Sequence, residues 1–150
     1  VKNIIIVDYG MGNIKSLYNS LKFLGYNPVY YSEKKNIDSN IYILPGVGAF
    51  NQAMKLIEEK KISNDLKNFV KNKNNLLIGI CLGMQLFFEE SYENFRTTGL
   101  GMIKGKVKKL SDNKNHILPN VGWIETNFKN DQTFKYLKKF DKQKFYYVHS

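Results

Sequence analysis

The spacing of apolar positions changes period several times along the chain, and each change marks an element. Ile4-Ile5-Ile6-Val7, within residues 2–8, is an unbroken β-branched run, as expected of a strand buried on both faces. Gly10-Met11-Gly12-Asn13 interrupts it. Ile14, Leu17, Tyr18, Leu21 and Leu24 then recur at helical spacing, and Gly25 ends that helix. Residues 27–31 and Ile41–Leu44 predict a second and a third strand, the latter stopped by Pro45-Gly46. Residues 52–60 predict a helix, and Ile62, Leu66, Phe69 and Val70 share one face of another. Leu76-Leu77-Ile78, within residues 76–80, predicts a fourth strand that is buried and central.

The order of strands and helices, with short connections, argues for an α/β fold with a mainly parallel sheet. After Phe88 the texture changes. Residues 105–110, 122–127 and 144–148 read as short strands among turn-rich segments, with a weaker helix near residues 133–138. No internal repeat and no long linker divides the chain, so residues 1–150 are expected to form a single domain.

Composition narrows the function classes. Of the 150 residues 43% are hydrophobic and 24% charged, which suits a globular protein. No apolar run reaches bilayer-spanning length, and no leader precedes the first strand, so a membrane role is not expected. A single cysteine allows no internal disulfide and favours a reducing cytoplasm. The net charge of +10 raises the possibility of nucleic acid as a partner. Only Arg96 among the 23 basic residues is arginine, however, and the lysines sit among asparagines, as in Lys71-Asn72-Lys73-Asn74-Asn75. Base and phosphate readers exploit the guanidinium fork, so the charge reads as a solvated surface with no nucleic-acid partner.

The candidate chemistry lies at Gly79-Ile80-Cys81-Leu82-Gly83-Met84-Gln85, directly after the fourth strand. Flanking glycines let the backbone reverse sharply, and residues 84–90 read as the first turns of a helix. This is the nucleophile-elbow layout with Cys in place of Ser. It would carry one sulfur at the end of a strand and above a helix N-terminus, where the dipole favours negative charge. The plainer alternative is a buried cysteine that packs as a small hydrophobe, but the Gly-x-Cys-x-Gly bracket favours a reactive thiol.

Two other glycine-rich turns follow strands. Gly10-Met11-Gly12 lacks the third glycine of a dinucleotide fingerprint, since Lys15 occupies that position, so it reads as a tight strand-to-helix turn without a cofactor. Leu44-Pro45-Gly46-Val47-Gly48-Ala49-Phe50 ends the third strand at the edge where open α/β sheets place their sites. If it faces Cys81, its N–H groups and that of Leu82 could together hold an oxyanion.

These segments, taken with Asp8-Tyr9-Gly10-Met11-Gly12-Asn13, Gly99-Leu100-Gly101, Val121-Gly122-Trp123 and Tyr147-Val148-His149-Ser150, resemble the class I glutamine amidotransferases. The likeness is to the HisH-like glutaminase subunits of imidazole glycerol phosphate synthase, and it runs from the first strand to the last residue. It implies a three-layer, flavodoxin-like α/β fold, with a mainly parallel central sheet flanked by helices and short additional strands in the C-terminal third. It implies that Cys81 attacks the side-chain amide of L-glutamine, forms a thioester and releases ammonia, with no cofactor and no metal. Gly46, Val47, Gly48 and Leu82 would line the oxyanion site, Gln85 would help hold the substrate, and His149 and Ser150 would line the glutamine site through their backbone. Asn13, Pro119, Asn120 and Trp123 would face a (βα)8 synthase or cyclase partner of the HisF kind, although Trp123 read alone is a core aromatic.

The likeness also exposes departures. The family carries a His-Pro-Glu segment further downstream, whose His is the general base and whose Glu orients it. The two histidines here, His116 and His149, match neither, so the chain is expected to be C-terminally truncated and, by itself, inactive. Asn120 stands where the family commonly has His. That leaves amidation of sugars or surface glycans as an alternative pathway. A non-catalytic partner protein that keeps the fold is another alternative, and an elbow thiol used for other hydrolysis or redox protection a third.

Overall fold

The structure, a computed structural model, describes residues 1–110, 118–128 and 132–150. Residues 1–108 and 109–150 form two compact units, and each is described by itself. The first opens with β1 (Asn3–Ile6), α1 (Ile14–Phe23), β2 (Asn27–Tyr30), β3 (Ile41–Leu44), α2 (Phe50–Glu59), α3 (Ile62–Phe69) and β4 (Leu76–Gly79). The four strands make one all-parallel sheet in the order β2-β1-β3-β4.

Side-chain alternation sorts the apolar residues onto the two faces of that sheet. Ile4, Ile6 and Ile43 pack with Leu21 on the face covered by α1. Val7 and Leu44 pack with Phe50, Ala53, Met54, Ile57, Ile62 and Leu66 of α2 and α3 on the other. The β-branched run 4–7 is buried throughout, as its pattern predicts. Helices on both faces of a parallel sheet give the three-layer α/β architecture.

Helix α1 is bounded by local chemistry. The Asn13 side chain accepts from the Ser16 N–H at 3.2 Å and caps its start. At its end Gly25 adopts φ +82, and the N–H groups of Gly25 and Tyr26 return to the carbonyls of Lys22 and Leu21, a Schellman closure. Helix α2 has no cap from its own Ala49; the Glu93 carboxylate accepts from the Phe50 N–H at 2.8 Å instead.

Two sequence expectations fail here. The helix expected over 84–90 is a single turn, α4 (Leu82–Gln85), and the chain then enters β5 (Phe88–Ser91). The carbonyls of Leu86, Phe87, Phe88 and Glu89 are taken by N–H groups of residues 99–103, which compete with helical bonding. With β6 (Thr97–Thr98) and β7 (Ile103–Val107), β5 forms a second, mixed sheet in the order β6-β5-β7. The second failure is β4, which among the described residues is an edge strand and is not fully buried: Leu76 and Ile78 are exposed beside their register partners Ile41 and Ile43.

The second unit is built on a hairpin of β8 (Asn120–Thr126) and β9 (Gln143–His149), paired antiparallel along seven residues. A 3₁₀ segment, Gln132–Phe140, lies between them where the weaker helix was expected. Among the described residues every buried apolar side chain of the core belongs to residues 4–100. No helix among them is long and apolar enough to cross a membrane.

Candidate active site

Parallel connectivity sets where the candidate residues meet. From β1 the chain crosses one way to β2 and the other way to β3, so the strand order reverses between β1 and β3. Open α/β sheets place their sites at such a reversal; here the loops beyond the carboxyl ends of those two strands pack against each other, and a Cβ on Gly12 would lie 3.3 Å from Pro45 Cβ. The segments after β1, β3 and β4 are residues 8–13, 45–49 and the Cys81 elbow.

Cys81 is exposed and immediately precedes α4. Its backbone adopts φ 53, ψ −116, which lies outside the left-handed helical well as well as the right-handed regions. A side chain there is strained, and such strain persists only where the surroundings enforce it. The enforcement is visible. The Ile80 N–H donates to the Leu44 carbonyl at 3.0 Å, tying the elbow to β3, and the Met84 and Gln85 N–H groups both return to the Cys81 carbonyl. The flanking glycines are sterically required: a Cβ on Gly79 would lie 2.5 Å from Met84 Cα, and one on Gly83 only 1.9 Å from the Leu44 carbonyl oxygen.

The loop after β3 lies against this elbow. A Cβ on Gly46 would stand 2.9 Å from the Gly83 nitrogen and 3.0 Å from Leu82 Cβ. Gly46, Leu82 and Gly83 are buried at this junction, whereas Val47 and Gly48 are exposed, Gly48 at φ +94. Leu82 is the first residue of the turn, so its N–H has no partner within α4. Gln85 ends the same turn and is half-buried. The two segments expected to share oxyanion duty, Gly46–Gly48 and Leu82, are therefore brought together by contact between strands β3 and β4.

Sequence reasoning missed the support underneath. Tyr9, in the turn after β1, is fully buried, and its hydroxyl lies 2.7 Å from where a Gly46 Cβ would be. Burial pushes that phenol up to about 12, so it stays protonated. Met11 closes from the other side, its Cε 2.9 Å from the Cβ position of Gly48. Asp8 secures the turn by accepting from the Ser32 N–H and hydroxyl at 3.0 and 2.6 Å. The one available signal was an aromatic residue inside a glycine-rich turn, where no periodicity marks it as core.

The remaining candidates are placed as follows. Asn13 is exposed, with its side chain spent on the α1 cap. In the second unit Asn120 and His149 are register partners, and the Asn120 amide lies 2.9 Å from His149 Nε2. Trp123 is 70% exposed and meets Tyr146 edge-on, so it is no core aromatic. Pro119, which precedes β8, and Ser150, which follows β9, are exposed at the same end of the hairpin. His116 lies outside the described residues.

A strained cysteine on a strand–turn–helix elbow, beside a glycine loop at a topological switch point, is the layout of the α/β proteins that carry a nucleophile elbow. The family model for class-I glutamine amidotransferases matches residues 5–145. An imidazole glycerol phosphate synthase subunit HisH 2 of Vibrio vulnificus is 42% identical over 150 residues, covering 98% of this chain and 69% of that protein. The HisH subunit of Bacillus subtilis is 40% identical over 151 residues, covering 97% of this chain and 69% of that protein. A crystal structure of a glutamine amidotransferase superposes with TM-score 0.64 at 20% identity, over 97% of this chain and 69% of the other, and so shares the fold. This chain belongs to the class-I glutamine amidotransferase family, in its HisH-like group.

Proposed function

We propose that this chain is the glutaminase part of imidazole glycerol phosphate synthase in histidine biosynthesis. It would hydrolyse L-glutamine to glutamate and ammonia and pass the ammonia to a (βα)8 cyclase subunit of the HisF kind. The observation that carries the reading is the strained, exposed Cys81 at φ 53, ψ −116, with the Gly46 loop packed on the first turn behind it. Both relatives compared above bear that subunit name.

The geometry supports the chemistry that the family resemblance implies. The Cys81 sulfur, as thiolate, adds to the side-chain amide carbon of glutamine, and the carbonyl π electrons move onto oxygen. N–H groups of Leu82 and of the Val47–Gly48 segment hold that oxyanion, and Gln85 helps position the substrate. Collapse re-forms the carbonyl and breaks the C–N bond, and nitrogen leaves as ammonia after taking up a proton. A water molecule then adds to the thioester, and glutamate departs as the thiol is restored. The proton transfers need a general base, a role that this reading gives to neither His116 nor His149. Asn13, Pro119, Asn120 and Trp123 face the synthase partner. A lone thiol of this kind stays free in a reducing cytoplasm.

The test is ammonia and glutamate release by the intact protein, with and without its synthase partner. Release is expected to rise with the partner and to fall by at least about a thousandfold in Cys81→Ala, since no other nucleophile replaces the thiol. Covalent labelling of Cys81 by the glutamine analogue diazo-oxo-norleucine is expected alongside. Glutamate release that survives Cys81→Ala would sink the reading, and tight partner binding without any hydrolysis would point to a non-catalytic subunit.

A further inference from the structure

Arg96 is the one arginine among 23 lysines and arginines, and the chemistry above makes no use of it. It ends the loop of residues 92–96, which joins β5 to β6. Two strand pairs close that loop, Glu90 with Thr98 and Ser91 with Thr97, so backbone pairing alone fixes its course weakly. Side chains supply the rest. The first and last residues of the loop converge on a single carboxylate: the Tyr92 hydroxyl donates to Glu90 Oε1 at 3.2 Å, and Arg96 Nε donates to Oε2 at 2.6 Å. Glu90 is itself anchored, being buried on β5 and paired with Lys106 of β7. A guanidinium suits this task because its donors lie in a fixed plane, whereas an ammonium is a flexible point charge.

Between those two ties stands Glu93. Its N–H donates to Ser91 Oγ at 3.2 Å, and its carboxylate accepts from the Phe50 N–H at 2.8 Å. That N–H opens α2, where the helix dipole favours a carboxylate and Ala49 supplies no side-chain cap. Phe50 also follows directly on the glycine loop, residues 45–49, which packs on the Cys81 elbow through Gly46. The other end of that loop is held at the Leu44 carbonyl by the Ile80 N–H. The loop beside the thiol is thus pinned at both ends, once by the elbow itself and once by Glu93.

We propose that Arg96 is a positioning residue for the thiol site: bound to Glu90, it holds the 92–96 loop so that Glu93 stays on the Phe50 N–H and the glycine loop keeps its place on the Cys81 elbow. In this role Arg96 touches neither the thiol nor the substrate and acts through Glu93. The role rests on the glutaminase reading, which makes the glycine loop part of the glutamine site.

The experiment measures glutamate release by Arg96→Ala, Glu93→Ala and the double variant against wild type, each as the intact protein with its synthase partner. Arg96→Ala is expected to lower kcat/KM for glutamine about ten- to a hundredfold, a loss of the size that a misplacement of about 1 Å brings. In the Glu93→Ala background the same substitution is expected to cost less than about twofold more, because the path it acts through is already cut. Amide exchange at Phe50 is expected to quicken about tenfold in Arg96→Ala. Alkylation of Cys81 by iodoacetamide, which makes no use of the glycine loop, is expected to keep its rate. Unchanged kcat/KM in Arg96→Ala beside an active wild type, or unchanged exchange at Phe50, would overturn the role and leave the glutaminase reading standing. So would a loss additive with that of Glu93→Ala, or one accompanied by faster alkylation, since either marks Arg96 as a packing residue of the mixed sheet. A wild type that releases no glutamate would overturn the glutaminase reading, and the role of Arg96 with it.

Discussion

At Cys81 a reactive group and an unfavourable backbone share one residue. With φ 53 and ψ −116 its Cβ opposes the local backbone, and the cost of such a conformation is about 1–3 kcal/mol. That cost yields an isolated sulfur on a tight turn, clear of the strand and backed by N–H groups. The two truncating substitutions should therefore differ. Cys81→Ala keeps the strain, whereas Cys81→Gly releases it at some loss of unfolded-state restriction. Cys81→Gly is expected to be about 1 kcal/mol more stable than Cys81→Ala in urea unfolding, while both abolish turnover. Equal stabilities would show that the elbow stores no strain. The elbow itself was legible from two glycines around one cysteine, because a reversal this sharp demands residues without side chains. The burial of Tyr9 was not legible, because its hydroxyl packs against a backbone 37 positions further along the chain, at Gly46.

Among the elements, the segment after the elbow shows tertiary contacts overruling local preference. Leu82 and Leu86 are spaced as in a helix, yet the turn ends at Gln85, since the following carbonyls bond to residues 99–103. Glu90 then anchors the mixed sheet. It is 7% exposed and receives Lys106 Nζ of β7 and Arg96 Nε from beside β6, each at 2.6 Å, with the Tyr92 hydroxyl at 3.2 Å. The bond from Lys106, then that from Arg96, holds its carboxyl at about 2 against an ordinary 4.5. A depressed carboxylate stabilises the fold fully above its unfolded value and loses that contribution as pH falls through the folded value. Acid should therefore weaken this sheet between about pH 4.5 and about pH 2. Glu90→Gln is expected to flatten the pH dependence of urea unfolding across that window, and an unchanged slope would exclude Glu90 as its source. No sequence pattern marks this glutamate, because its partners lie on separate strands.

Over the molecule as a whole, burial is unevenly distributed. Both apolar clusters, on the two faces of the parallel sheet, are drawn from residues of the first unit. Residues 1–108 expressed alone are accordingly expected to unfold in one cooperative transition, with circular dichroism and tryptophan-free tyrosine fluorescence coinciding, as a single packed core requires. Non-coincident curves would show that this unit does not fold as one. The same unit holds the Cys81 elbow and the Gly46 loop, so the thiol should remain alkylatable in that fragment. The charge of +10, carried almost wholly by lysine, has no counterpart in the described core and describes the surface of the molecule.

By itself the sequence determined the elements whose causes are local: the β-branched run of β1, the capped and glycine-closed α1, the exact bounds of β3, and the glycine-bracketed thiol. It also carried the family, since the diagnostic residues are contiguous segments. Only the tertiary structure decided that β4 is an edge among the described strands, that residues 88–91 form a strand, and that Gly46 packs against Gly83 and the Tyr9 hydroxyl. The physical reason is the range of the interactions. Periodicity and turn chemistry act over a few neighbours, whereas strand pairing and close backbone approach join residues tens of positions apart, which no local pattern records.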